Sequence, residues 1–350
     1  MHRCIELARL AGGNVAPNPM VGAVLVYQDE TIGEGYHQQY GKAHAEVNCI
    51  ASVKGEHRHL VDQSTLYVSL EPCAHFGKTP PCVDLIIEKR IPKVVVGCRD
   101  PFVQVNGKGI EKLKEAGIEV EVGVLENECK QLNKRFFTFH TQYRPYVVLK
   151  WAQTLNNKLA SSGDDRLLIS NECTNRLVHK WRSEEVAILV GTNTAFYDDP
   201  QLNTRLWPGK NAIRLVVDMN LRLPSTLKIF DKTIPTIVFN KLQHSLPFEK
   251  GAAQTLTGLH YYQVTEDVSL VQQILNGMYH LGIQSILVEG GAQMLQSFIN
   301  EGAWDEARII TNEQLTIGDG LPAPQLNNYQ AVDEQRVFSD VIRFYQNAGN

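Results

Sequence analysis

Two stretches hold the residue types that could do chemistry: His44-Ala45-Glu46, and Pro72-Cys73-Ala74-His75-Phe76-Gly77-Lys78-Thr79-Pro80-Pro81-Cys82. His44, Cys73 and Cys82 make one imidazole and two thiols, the three-ligand set of a zinc ion whose fourth tetrahedral position stays open to water. Glu46, two residues past the histidine, is the wrong residue to close a structural Cys/His site. It is suited to carrying protons for a metal-activated water. Hydrolysis of an amino group on a nitrogen heterocycle is therefore the expected reaction. Either half of the pattern alone says little. Both in this order, each at the start of an expected helix, point to one metal. The competing readings are core residues with no metal at all and a structural zinc, which normally brings a fourth Cys or His at close spacing.

Several elements must bring these residues together. Ile5 to Ala11 reads as a helix stopped by Gly12-Gly13, and Met20 to Tyr27 as an apolar strand followed by a polar turn. His44 opens a helix to about Val53, so His44 and Glu46 share its first turn. Thr65 to Leu70 is a strand that delivers Glu71-Pro72-Cys73. Pro80-Pro81 suits a helix start, and Cys82 begins a helix through Lys89. Lys93 to Cys98 (strand), Gly107 to Ala116 (helix), Ile118 to Val124 (strand) and Lys130 to Phe139 (helix) complete an α/β layered domain. The boundary falls at Tyr143-Arg144-Pro145, giving domains 1–143 and 144–350.

A second α/β pattern follows. Strands are expected at Tyr146 to Trp151, Ala187 to Val190, Ile213 to Val217, Thr236 to Phe239 and Ser285 to Val288. Helices are expected at Asn171 to Arg182, Val268 to Leu281 and Ala292 to Asn300. Asn156 to Arg166 reads as a polar loop, and the tail after Gly318-Asp319-Gly320 offers little chemistry. Val288-Glu289-Gly290-Gly291-Ala292 joins a strand to a helix, where glycine lets the backbone approach an anion. No G-x-G-x-x-G opens the domain, so it is not a Rossmann fingerprint.

The chain has 350 residues, 43% of them hydrophobic, and a formal net charge of -4. That length and composition support two buried cores. The acidic balance and the lack of basic-aromatic stripes argue against a nucleic-acid or membrane surface. No apolar run is long enough to span a bilayer, and a charge interrupts what would be an export signal. Seven cysteines suit a reducing compartment, and a cytoplasmic location is expected.

The metal motifs resemble the RibD/RibG family of riboflavin biosynthesis, in which a pyrimidine deaminase is fused to a reductase. Pro17-Asn18-Pro19-Met20-Val21-Gly22 and Gly33-Glu34-Gly35-Tyr36-His37 carry the same resemblance. The eight residues between Cys73 and Cys82, against two in the common zinc-deaminase signature, are that family's variation. The resemblance implies a cytidine-deaminase-like three-layer domain followed by a dihydrofolate-reductase-like domain. It implies a small-molecule substrate, 2,5-diamino-6-(ribosylamino)pyrimidinone 5'-phosphate, and a homo-oligomer. His44, Cys73 and Cys82 would hold Zn2+, with Glu46 shuttling protons from water to the departing ammonia. Asn18, His37, His75, Lys78 and Asp100 match positions that contact substrate. Relatives often read Asp-Pro-Asn where this chain has Asp100-Pro101-Phe102, so an amide contact is lost or supplied elsewhere.

In the second half the resemblance implies reduction of the ribosyl group to ribityl with NADPH. Ala152, Thr194, Asp198 and the turn from Gly291 would lie along the cofactor. Arg182, Leu202, Arg205 and Glu289 would lie along the substrate, the two arginines clamping a phosphate. Two departures stand out. Thr154-Leu155-Asn156-Asn157-Lys158 replaces Ser-Leu-Asp-Gly-Lys, so Asn must adopt a conformation that glycine adopts easily. Arg166-Leu167-Leu168-Ile169-Ser170 lacks the family's tryptophan, a large flat contact. The alternative is a deaminase whose second half serves only nucleotide binding or assembly.

Overall fold

The computed structural model describes every residue except Lys78, Gln104, 163–166, Phe248, Lys250 and Asn350. Lys78 and Arg166 of the preceding section thus lie outside the described residues. The chain divides into two compact units, Met1–Tyr143 and Arg144–Asn350.

In the first unit the order is α1 (His2–Arg9), β1 (Gly22–Tyr27), β2 (Glu30–Tyr36), α2 (Ala45–Ala51), β3 (Thr65–Leu70), α3 (Cys82–Glu88), β4 (Lys93–Cys98), α4 (Lys108–Glu115), β5 (Glu119–Val122), α5 (Glu126–Leu132) and α6 (Lys134–Thr141). The sheet order is β2-β1-β3-β4-β5. The first two pairings are antiparallel, and β3, β4 and β5 run parallel. Successive side chains of a strand face opposite sides. Ala23 and Leu25 of β1 accordingly pack with Ala45, Cys49, Val83 and Ile86, while Val24 packs with Cys4 and Leu7. Helices therefore cover both faces, making three layers. Glycine sets one close approach. A Cβ on Gly35 of β2 would lie 2.2 Å from the Cys49 nitrogen and 2.7 Å from the Ala45 carbonyl oxygen. Only a bare backbone lets α2 lie this close to the sheet.

The second unit contains β6 (Tyr146–Thr154), β7 (Lys158–Ser161), α7 (Glu172–Glu184), β8 (Ala187–Val190), α8 (Thr192–Asp198), β9 (Ile213–Val217), β10 (Thr236–Asn240), β11 (Leu259–Gln263), α9 (Leu270–Leu281), β12 (Ser285–Val288), α10 (Ala292–Asn300), β13 (Glu306–Asn312), β14 (Gly320–Pro322), β15 (Tyr329–Val337) and β16 (Asp340–Asn347). Its main sheet runs β11-β10-β9-β8-β12-β6-β13-β16-β15, and β14 pairs with β7 in a small separate sheet. The pairings from β11 to β13 are parallel, and those of β16 with β13 and β15 are antiparallel. Val147, Leu149 and Trp151 feed one core, and Tyr146 and Val148 the other. Burial on both faces is why the inner strands of this sheet are mostly apolar rather than alternating. Asn171 caps α7 by accepting from the Thr174 amide, and Ser269 caps α9 by accepting from Gln272.

The structure departs from the sequence expectation at several elements. Glu30–Tyr36 is a strand, and the expected helix over Lys130 to Phe139 is two helices broken at Asn133. The expected loop from Asn156 contains β7. The tail forms β14, β15 and β16. At the lost glycine, Asn157 takes φ 58°, the left-handed conformation that asparagine tolerates best among residues bearing a Cβ.

Candidate active sites

In the first unit the parallel pairing sets Leu70 beside Cys98, so β3 and β4 end together. Cys73 and Asp100 therefore emerge together at the carboxyl ends of β3 and β4, where ligands bind in open α/β sheets. His44 caps α2 with extended backbone, and Cys82 is the first residue of α3. The His44 Nδ1 lies 3.5 Å from the Cys73 Sγ and 3.4 Å from the Cys82 Sγ. All three donor atoms lie within 4.8 Å of one another. Zn–S and Zn–N bonds at a tetrahedral angle separate sulfur from nitrogen by about 3.5 Å. The donor set thus fits zinc in type and in spacing.

Electrostatics within the cluster agree. Contact with Cys82, and then with His44, holds the Cys73 thiol down at about 4, while the same contact and burial push Cys82 well up. Burial, then the neighbouring Cys73 charge, raises the Glu46 carboxyl. A divalent cation among them would hold both sulfurs as thiolates, reversing the pressure on Cys82. Glu46 is only 3% exposed, so its carboxyl is withdrawn from bulk water.

Around this cluster, the Asn18 amide nitrogen lies 3.1 Å from His37 Nε2, and His37 Nδ1 lies 3.0 Å from the Ala43 carbonyl. With the amide donating to Nε2, the proton sits on Nδ1 and is donated to Ala43. Burial lowers the His37 pKa and keeps the ring neutral in this role. Asp100 accepts from the Phe102 amide at 2.8 Å, and burial pushes its carboxyl up to about 7. Phe102, at the departed position, puts its ring 6.2 Å from His75 and 5.0 Å from His140, both centroid to centroid. An aromatic contact thus occupies the place of the amide. The His75 Nδ1 is buried without a hydrogen-bond partner among the described residues.

Glu71 escaped the sequence reading. Its buried carboxylate accepts from the backbone amides of Asp100, Gly107, Gly109 and Ile110 at 3.0–3.3 Å. It thereby ties the segment before Cys73 to the segment after β4. An acid at a strand end, just before a proline, was the only signal.

In the second unit Val288 of β12 pairs with Leu149 of β6, which sets Glu289 beside Lys150. Lys150 Nζ lies 3.8 Å from Glu289 Oε2. Arg182, near the end of α7, donates to both Glu289 oxygens, at 2.8 and 2.6 Å. Burial would raise Glu289, but Arg182 and then Lys150 prevail and hold it at about 2. Lys150 also escaped the sequence reading; a lysine inside the apolar run Val147-Val148-Leu149 was its signal. Arg182 Nη1 donates to the Asn203 carbonyl at 3.4 Å, and Arg205 Nη1 to Asn203 Oδ1 at 2.9 Å. Leu202 beside them is buried.

Thr194 Oγ1 accepts from the Gly291 amide at 2.8 Å, and the Gly191 amide donates to the Gly290 carbonyl at 3.2 Å. These bonds pin the start of α8 to the turn before α10. Gly291 has φ 21°, and a Cβ on Gly290 would press on Thr194 at 3.0 Å. The turn is therefore bare backbone packed against Thr194. Asp198 ends α8, half-buried, one turn past Thr194, and Ala152 is half-buried two residues past Lys150 on β6.

A His/Cys/Cys set at one strand end and two helix starts of a three-layer unit, then a mostly parallel-sheet unit with a glycine turn and a buried ion-paired cluster, is the plan of a two-part deaminase and reductase. Residues 1–98 match the cytidine and deoxycytidylate deaminase zinc-binding region, and residues 145–332 match the RibD C-terminal domain. The riboflavin biosynthesis protein RibD of Aquifex aeolicus is 42% identical over 327 residues, covering 91% of this chain and 89% of that one. That of Bacillus amyloliquefaciens is 39% identical over 328 residues, 93% of this chain and 86% of that one. The crystal structure of a Thermotoga maritima diaminohydroxyphosphoribosylaminopyrimidine deaminase/5-amino-6-(5-phosphoribosylamino)uracil reductase superposes with a TM-score of 0.86 at 36% identity, covering 99% of this chain and 97% of that one. The chain belongs to the RibD family, the bifunctional deaminase/reductases of riboflavin biosynthesis that use Zn2+ and NADPH. A second half kept only for nucleotide binding or assembly is not favoured.

Proposed function

We propose that the first unit deaminates 2,5-diamino-6-(5-phosphoribosylamino)pyrimidin-4(3H)-one and that the second reduces the ribosyl arm of its product. The observation that carries the reading is the meeting of His44, Cys73 and Cys82 donor atoms within 4.8 Å, with Glu46 buried beside them. His44, Cys73 and Cys82 hold zinc, which supplies the Lewis acidity that makes water a nucleophile at neutral pH. Glu46 takes a proton from the attacking water and returns it to the departing amino nitrogen. Asn18 and His37 orient the ring edge as one unit, because the amide is fixed by the imidazole and the imidazole by Ala43. His75 and Asp100 are assigned to the same substrate. Lys78 is assigned to the phosphate by motif alone.

In the second unit Arg182, Leu202, Arg205 and Glu289 take the substrate, with the arginines on its phosphate. Ala152, Thr194, Asp198 and Gly291 take NADPH, which supplies a hydride. Glu289 holds Arg182 in place, and Lys150 shares that carboxylate. Among the described residues no helix is long and apolar enough to cross a membrane. We assign the enzyme to the cytoplasm as a homo-oligomer without nucleic-acid or membrane partners; its acidic balance supports this.

Metal analysis together with a coupled assay on the diaminopyrimidine phosphate tests the whole reading. Stoichiometric zinc, ammonia release and NADPH oxidation that begins only after deamination are expected. Ammonia release with a flat NADPH trace on folded protein would remove the reductase half.

A further inference from the structure

We propose that Asn203 is a positioning residue that joins Arg182 and Arg205 into one clamp for a phosphate-bearing sugar derivative. The inference rests on the reading that these two arginines meet the substrate. Two of the three guanidinium nitrogens of Arg182 are committed to Glu289. The third, Nη1, reaches the main-chain carbonyl of Asn203, and the side-chain carbonyl of the same asparagine receives Arg205 Nη1. One residue therefore presents two acceptors to two cations that would otherwise repel each other.

The acceptor is held from both sides. Leu202 is 3% exposed and takes φ 49°, a conformation a side chain adopts only when its surroundings compel it. The Thr204 amide donates to Asn211 Oδ1 at 2.8 Å, and the Thr204 hydroxyl to the Lys210 carbonyl at 3.1 Å. The buried His179 ring lies one helical turn before Arg182. Its Nδ1 has no hydrogen-bond partner among the described residues.

The neutrality of the amide matters. Lys150 and Arg182 both approach the Glu289 carboxylate, whereas Arg205 is met at Asn203 by a neutral amide. A carboxylate at position 203 would hold Arg205 as well but would neutralise its charge. An amide fixes the guanidinium and leaves its charge for the ligand, which lowers the ordering cost at binding.

Reductase kinetics on the full chain, with deaminated phosphorylated substrate and NADPH, test this through a double-mutant cycle. Asn203→Ala should raise the substrate KM about tenfold, the loss of one ordered charge-assisted contact, with kcat within about twofold and the KM for NADPH unchanged. In an Arg205→Ala background the same change should add nothing. An equal loss in both backgrounds, or a parallel fall in kcat and NADPH affinity, overturns the proposal. If Arg205→Ala leaves the substrate KM unmoved, the underlying assignment of the arginines fails instead. Should Asn203→Ala not fold, Asn203→Leu keeps the shape without the acceptor and replaces it in the cycle, with the same results expected.

Discussion

Cys82 Sγ stands 3.4 Å from His44 Nδ1 although 38 residues of chain separate them. The distance is set by two helix starts, one capped by His44 and the other begun by Cys82, brought together beside Cys73. Neither sulfur is replaceable by oxygen at equal affinity, because thiolate is the softer and more polarisable ligand. Cys73→Ser should therefore purify with substoichiometric zinc while unit Arg144–Asn350 still consumes NADPH on deaminated substrate. Full zinc occupancy in that variant would remove Cys73 from the ligand set.

Glu46 offers a separate test, because it is proposed to move protons rather than bind metal. Glu46→Gln keeps the side-chain volume in a pocket only 3% exposed, so packing is preserved. An amide cannot relay protons. Ammonia release should fall by about 10²–10⁴-fold with zinc retained. A variant that keeps turnover would show that the proton carrier is another group.

Much of this architecture was legible, and the reason is burial. Thr65–Leu70, Lys93–Cys98, Ala187–Val190, Ile213–Val217 and Ser285–Val288 are inner strands covered on both faces, so each is an apolar run with clear ends. Strand Glu30–Tyr36 was hidden because its glycines serve close packing on α2, not strand propensity. Strand Tyr329–Val337 is almost wholly exposed at a sheet edge and carries charge, so no hydrophobic pattern marked it. Helix Thr192–Asp198 is short, and its sequence matches a turn as well as a helix. At the sites, His44, Cys73 and Cys82 announce themselves by type. Glu71 and Lys150 do not, because their partners are backbone amides and a carboxylate remote in the chain.

Glu71 makes the third prediction. Four backbone amides converge on one buried carboxylate, and removing it strands donors that water reaches poorly. Glu71→Ala should destabilise unit Met1–Tyr143 by roughly 3 kcal/mol. Hydrogen exchange is the sharper measurement: protection should drop first at Gly107, Gly109 and Ile110. Unchanged protection there would mean that the carboxylate does not hold these amides in solution.

His179 carries a prediction about pH. Burial, reinforced by the charges of Arg182 and Arg205 and opposed by Glu289 and the Asn203 carbonyl, brings its pKa down from 6.5 to about 4. Between those two values the unfolded chain binds a proton that the folded chain refuses. Stability of unit Arg144–Asn350 should therefore fall as pH drops from 6.5 to 4, and this contribution stops growing below the lower value. A displacement of this size corresponds to at most about 3 kcal/mol, reduced by solvent screening. His179→Gln cannot titrate, so its Tm should lose less over the same window, while the two proteins run parallel above pH 7. The decisive comparison is the slope of Tm against pH on the acid side; equal slopes for parent and variant would assign the acid sensitivity to a different group.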